Sequence, residues 1–88
     1  MRLHGEFVIR QVMNDTIALP VGQTALQLNG MILLNDVSRL IWQQLEKETT
    51  LAQIVAAVTE AFDVSQQEAQ ADIMEFLDKL RQAQLLEE

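Results

Sequence analysis

Cysteine is absent from this 88-residue chain, which excludes disulfide bonds, thiolate metal sites and cysteine nucleophiles. The only three glycines are Gly5, Gly22 and Gly30, and their spacing matches neither the dinucleotide-binding fingerprint nor the phosphate-binding P-loop. With one proline and 49% apolar residues, the composition favours a folded domain over a disordered tail. We therefore expect a single domain over residues 1–88, without a nucleotide cofactor.

Basic residues are scarce as well. Six Lys and Arg against thirteen Asp and Glu give a formal net charge of −7. Because nucleic-acid binding gains most of its affinity from cations placed on phosphates, this charge opposes it. No apolar run approaches the roughly 18 residues of a membrane span, and residues 1–6 lack the apolar core of a secretory signal. We expect a cytoplasmic protein with neutral or basic partners.

Candidates for catalysis or metal binding are few. His4 is the only histidine, it lies in a terminal segment that we expect to fray, and no serine has the surroundings of an activated nucleophile. Glu68, Asp72 and Glu75 share one helix face at spacings of four and three, but no histidine or glycine-bearing ligand loop accompanies them, and Lys79 lies nearby. The sequence therefore predicts a solvated acidic face, no metal site and no enzyme activity.

The first part of the chain predicts a β-hairpin. Phe7 to Met13 is rich in β-branched and aromatic residues, and the alternation from Thr16 to Val21 places Ile17, Leu19 and Val21 on one face. Asn14-Asp15 between them tolerates the positive φ of a tight turn. Pro20 cannot donate a ladder hydrogen bond, so we expect it near the end of its strand or on an outer edge.

A second hairpin signal lies at Asn29-Gly30, between Leu26–Leu28 and Met31–Leu34. The first arm is short, so we expect three strands, with a fourth only if that arm pairs. Met31–Leu34 leads directly into a helix start and is expected to be an edge strand with unpaired backbone groups.

Three helices are predicted after the strands. The first begins at Asn35 or Asp36 and runs to about Glu46, and capping boxes mark the starts of the next two. Those boxes are Thr50 with Gln53 and Ser65 with Glu68. The apolar stripes follow helical spacing: Val37, Leu40, Ile41 and Leu45; Leu51, Ile54, Val55, Val58 and Phe62; Ala69, Ile73, Phe76, Leu77 and Leu80. This order predicts an α+β fold of winged-helix type, with an N-terminal three-stranded antiparallel sheet followed by a three-helix bundle.

Some apolar side chains exceed what so small a core can hide. We expect Trp42 to pack beneath the sheet, whereas Met31, Met74 and the pair Phe76-Leu77 are candidates for an exposed groove as well as for the core. Methionine is common on surfaces that accept varied peptides. Only the first few residues and Glu87-Glu88 are expected to be dispensable.

The order and spacing of several segments resemble the PqqD-like family over about residues 7 to 86. The most specific parts are Leu34-Asn35 before a helix with Ile41-Trp42, and Asp63-Val64 before the final helix. The other matching segments are Phe7–Val12, Ile17–Pro20, Leu28–Leu33, Gln43–Leu45 and Ala71–Leu80.

This resemblance implies a domain that recognises precursor peptides in the biosynthesis of ribosomally made, enzymatically modified peptides. The family's founding example acts in pyrroloquinoline quinone synthesis. In such proteins the leader of the precursor adds as an extra strand beside the third strand, in a cleft closed by the third helix. Transferred to this chain, the pairing edge is Met31, Ile32, Leu33 and Leu34, and the candidates for the opposite wall are Ala69, Asp72, Ile73, Phe76 and Lys79.

The implied partners are a precursor leader peptide and a modifying enzyme, such as a radical SAM enzyme or a leader protease. Three segments depart from the usual family pattern: Val37–Arg39 where a small residue is common, Gln84 where a glycine is common, and Asn14-Asp15 in place of a glycine-containing turn. A winged-helix DNA-binding regulator and a structural subunit that forms a homodimer through the same edge remain alternative hypotheses.

Overall fold

A computed structural model describes residues 1–88 and confirms the α+β class. In chain order the elements are β1 (Arg2–Leu3), β2 (Phe7–Val12), β3 (Asp15–Pro20), α1 (Gly22–Gln27), β4 (Ile32–Leu34), α2 (Asp36–Leu45), α3 (Leu51–Ala61), α4 (Gln66–Gln82) and β5 (Leu86–Glu87). The main sheet is antiparallel, with strand order β2-β3-β4, and β1 pairs with β5 in a second sheet. No helix is long and apolar enough to cross a membrane. The winged-helix arrangement stays a prediction.

The predicted first hairpin is present, with its turn one residue earlier than expected. Val12 pairs with Asp15, so the two-residue loop is Met13-Asn14, and Met13 rather than Asn14 or Asp15 has a positive φ, 58°. This register directs Ala18, which is fully buried, toward the helices. Thr16 and Ile17 are buried as well, so β3 is covered on both faces there and not only on the face of Ile17, Leu19 and Val21.

The helices α2, α3 and α4 begin at the predicted capping residues. Asn35 Oδ1 accepts a hydrogen bond from the Ser38 amide at 2.8 Å, and the Ser38 hydroxyl accepts one from the Asn35 amide at 2.8 Å. Thr50 and Gln53 form the same reciprocal pair at α3, whereas at α4 Ser65 accepts from the Glu68 amide without the return bond from Glu68, so the second predicted capping box is only half formed. These side chains satisfy amides that the first turn leaves without an intrahelical partner.

The core lies between the main sheet and the helices, as the apolar stripes indicated. Trp42 is 2% exposed, and its ring meets the Phe7 ring of β2 edge-to-face at a centroid distance of 5.0 Å. Its predicted position beneath the sheet is therefore confirmed. The largest fully buried side chains are Ile41, Leu45, Ile54, Val58, Ile73 and Leu77.

The second predicted hairpin is wrong. The segment before Asn29-Gly30 is not a strand but the last turn of α1, and the Asn29-Gly30 loop joins that helix to β4. The buried hydroxyl of Thr24 accepts a hydrogen bond from the Glu6 amide at 2.8 Å. This bond holds α1 against the segment between β1 and β2. Gly30 nevertheless has a positive φ, 110°, the conformation that the Asn29-Gly30 pair predicted and that glycine adopts without steric cost.

The expectation that the first residues fray is wrong, because the two ends of the chain pair with each other; that the ends are dispensable stays a prediction. Arg2 pairs with Glu87 and Leu3 with Leu86. The His4 amide donates to the Leu85 carbonyl at 2.8 Å, so the segment around His4 is held in place. Strands of two residues have no periodicity that a sequence pattern could reveal, and their partners lie at opposite ends of the chain.

Candidate functional site

The main concave feature is a cleft of about 600 Å³ between β4 and α4. Ten of its fifteen lining residues are hydrophobic. Ile41, Leu80 and Leu85 are nearly fully buried and form its floor. One wall is the strand and the other is the helix, so an elongated apolar guest would contact both elements at once.

The hairpin register determines which backbone groups of β3 point toward this cleft side of the sheet. Val12 and Asp15 flank a two-residue loop, so they form a hydrogen-bonded pair. Backbone directions alternate along an antiparallel strand. The amide and carbonyl groups of Thr16 and Ala18 therefore point away from β2 and toward β4.

The same alternation identifies the free group on β4. Leu34 lies opposite Thr16 and Ile32 lies opposite Ala18, so Ile32 and Leu34 form the hydrogen-bonded pairs with β3. The N–H and C=O of Leu33 consequently point away from β3. Because β4 is the last strand of the sheet, no strand takes up these two groups. Leu33 is thus the one residue within β4 with an open donor and an open acceptor.

The edge ends abruptly at Asn35. Its amide donates to the Ser38 hydroxyl, and its carbonyl accepts the Arg39 amide of α2 at 2.8 Å. The capping box therefore uses the backbone groups that would have continued the edge. The available strand edge is confined to Leu33 and the residues that precede it.

The opposite wall is a single stripe of α4. Asp72, Glu75, Phe76, Lys79 and Ala83 line the cleft at helical spacings of three and four. Phe76 is half-buried and packs against the core, whereas the charged side chains are exposed. This stripe lies beside the core-facing stripe of the same helix, which consists of Ala69, Ile73, Leu77 and Leu80.

Six of the nine residues selected from the sequence come together at the cleft: Met31, Ile32, Leu33, Asp72, Phe76 and Lys79. The other three, Leu34, Ala69 and Ile73, have side chains buried in the core. Glu75 was missed, although it is one turn from Asp72 and Lys79. Leu28, Val37 and Ser38 were missed because they come from elements whose packing against the cleft has no local signal.

Ion pairing on α4 leaves the cleft stripe free. Arg81 donates to Asp78 Oδ1 at 2.8 Å and to both carboxylate oxygens of Glu88 at 3.0 Å. Hydrogen bonding from Arg81 lowers the pKa of the Glu88 carboxyl. Lys79 is absent from these pairs, so it is the cation available beside the cleft.

What this arrangement can do is hold an extended polypeptide. The Leu33 backbone can donate one hydrogen bond to an added strand and accept one from it. The apolar floor and Phe76 can contact the side chains that project from one face of that strand. Met31 and Leu33 are 60% and 64% exposed and border the same edge. Both line the cleft, so they extend its apolar lining to the sheet edge, and contiguous apolar surface of this kind marks interaction sites.

Comparison with known proteins gives two matches. The sequence model of a family described as "Coenzyme PQQ synthesis protein D (PqqD)" matches residues 14–86, which include both walls of the cleft. A solved structure titled "TbiB1 in Complex with the TbiA(beta) Leader Peptide" superposes with a TM-score of 0.74 at 23% identity, covering 99% of this chain and 95% of that chain. No curated protein sequence matches significantly. The structural likeness shows that the two chains share a fold.

Proposed function

This chain belongs to the PqqD family, and from that membership we propose that it is a non-catalytic adaptor that binds the leader of a ribosomally made precursor peptide. The leader adds as a strand to the free edge of β4, and the adaptor presents the rest of the precursor to a modifying enzyme. The family match over residues 14–86 confirms the resemblance drawn from the sequence. TbiB1, which shares the fold of this chain, was solved in complex with a leader peptide, and this supports a leader peptide as the ligand proposed here.

The observation that carries the proposal is the open N–H and C=O of Leu33 beside an apolar cleft. Main-chain hydrogen bonds form with any leader sequence, which gives binding that tolerates variation. Selectivity then comes from the side chains of the leader, which alternate between the cleft and the outer face of the sheet. Such an adaptor needs no reactive group, since tethering the precursor beside an enzyme raises its effective concentration.

The test removes the open donor without removing a bond of the fold. In Leu33→Pro the pyrrolidine ring replaces the outward N–H and lies where a partner strand would approach. Because that N–H has no partner in β3, we expect the folded sheet to persist. Affinity for the leader should fall by about tenfold or more, as expected for loss of a hydrogen bond together with a steric clash.

Leu33→Ala is the matched control, because it shortens the same side chain and keeps the N–H. The probe is a synthetic leader of any short precursor-like peptide found among the genes that flank this one, titrated into ¹⁵N-labelled protein. We expect amide shifts at residues 31–33 and along the cleft stripe of α4, and weaker binding in Leu33→Pro than in Leu33→Ala. Shifts confined to α2 and α3, or equal affinities for the two variants, would contradict the proposal.

The alternative hypotheses give different results in the same sample. A DNA-binding regulator would show shifts with duplex DNA and none with the leader, and the acidic surface of α4 opposes that outcome. A homodimer that uses the β4 edge would show concentration-dependent shifts at residues 31–33 before any peptide is added. Either result would replace the adaptor function.

A further inference from the structure

Charge in the cleft lies on one wall only. Asp72, Glu75 and Lys79 of α4 border the cleft, are exposed and form no ion pairs. The strand wall and the floor carry no charged residue. A guest between the walls therefore meets backbone groups on the β4 side and free charges on the α4 side.

The cleft borders about three turns of α4. Its lining residues on that helix extend from Asp72 to Ala83, a distance of about 16 Å at a rise of roughly 1.5 Å per residue. A strand of about five residues spans the same length at roughly 3.3 Å per residue. A leader segment of that length that extends along α4 would pass the acidic part of the stripe and then Lys79.

The spacing of the charges fits the side-chain repeat of a strand. Glu75 and Lys79 are separated by about 6 Å along the helix axis. Side chains at positions i and i+2 of a strand lie on the same face and are about 6.6 Å apart. Two successive side chains on the face toward α4 can therefore lie opposite Glu75 and Lys79 at the same time.

We propose that α4 selects leaders by the order of their charges: a Lys or Arg faces Asp72 and Glu75, and an Asp or Glu two residues away faces Lys79. This inference rests on the proposed function and adds the chemical class of the leader. It differs from steering by the net charge of −7, which would favour any basic peptide and would ignore the acidic residue. Reversed charges would place like charges opposite each other, and the two would repel.

The test exchanges the two charges and leaves their sum unchanged. Glu75→Lys combined with Lys79→Glu conserves net charge, and both positions are exposed. We expect the double variant to bind the leader about tenfold more weakly, because two favourable pairs become two like-charge contacts. A leader whose own basic and acidic residues are exchanged should recover the affinity. Raising the salt concentration should reduce the difference.

The matched control exchanges charges far from the cleft. Lys47→Glu combined with Glu60→Lys also conserves net charge, at exposed positions that do not line the cleft. We expect its affinity to stay within twofold of that of the unaltered chain. Circular dichroism and thermal unfolding verify that both double variants are folded before affinities are compared.

The outcomes separate this inference from the function on which it rests. If Leu33→Pro abolishes binding but the Glu75/Lys79 exchange binds as tightly as the unaltered chain, only the charge-order inference fails. It fails as well if the leader residues protected on binding lack a basic and an acidic side chain two positions apart. If the unaltered chain binds no leader, or Leu33→Pro binds as tightly, both proposals fail.

Discussion

Gln84 occupies the position where α4 ends and the chain turns toward β5. Its φ of 61° lies in the left-handed region, and the Leu85 amide donates to the Leu80 carbonyl while the Gln84 amide donates to the Arg81 carbonyl. These two bonds form a Schellman motif, in which the residue after the C-cap is usually glycine. The departure from the family pattern at this position therefore has a structural cost.

Replacing Gln84 by Gly should stabilise the fold by about 1 kcal/mol, because glycine adopts positive φ without a Cβ penalty. The free energy of unfolding from urea titration measures the effect. Gln70→Gly is the control: Gln70 is exposed and lies within α4, and the same substitution there should destabilise the fold by about 0.5–1 kcal/mol. Equal effects at the two positions would show that backbone conformation at Gln84 is not the cause.

At the scale of elements, the two edges of the main sheet differ in protection. On β2, Ile9 lies in a non-hydrogen-bonded pair with Ala18, so its carbonyl points to the outer edge. Arg10 donates from its guanidinium to that carbonyl at 3.1 Å. A positive charge beside an outer edge discourages pairing with another chain. The edge of β4 has no such group and is the one bordering the cleft.

Arg10→Ala should increase self-association through β2, since it frees the Ile9 carbonyl and removes the charge. Sedimentation velocity over a concentration series detects the shift toward larger species. Arg39→Ala removes the same charge from an exposed position on α2 and serves as the control. If both variants sediment like the unaltered chain at every concentration, another feature of the molecule protects the β2 edge.

The elements differ in how well their sequences predicted them. Helices α2, α3 and α4 were predicted with their starting caps, because capping residues and stripes of helical spacing are local properties. The helix α1 was missed, since its six residues have no side-chain cap at Val21 and its stability depends on contacts with β3 and Glu6. The Asn29-Gly30 signal correctly marked a positive φ but did not determine what preceded it.

At the scale of the whole molecule, β1 and β5 join the two ends of the chain beside the core. Leu3 and Leu86 are half-buried, pair with each other and pack against the core cluster. The chain end around β5 also supplies Leu85 to the floor of the cleft. The terminal sheet therefore packs against the core beneath the cleft, although it contributes no strand to the main sheet.

Leu86→Ala should destabilise the fold by about 1–2 kcal/mol, less than the cost for a fully buried leucine, and lower the Tm by about 5 °C or more. Differential scanning calorimetry measures this change. Leu26→Ala is the control with the same chemical change, because Leu26 is 86% exposed and its loss should leave the Tm nearly unaltered. An unchanged Tm in Leu86→Ala would show that the terminal sheet adds no stability.

Local periodicity, capping and motif order indicated the α+β class, the three long helices and the first hairpin, and the family resemblance added six of the residues that line the cleft. Packing of distant elements selects Leu33, and neither Ile32 nor Leu34, as the residue of β4 with open backbone groups. It also decided that Ala69 and Ile73 lie in the core while Asp72, Glu75 and Lys79 face the cleft. Those choices depend on strand register and on the rotation of α4 about its axis, which are set when distant elements pack together.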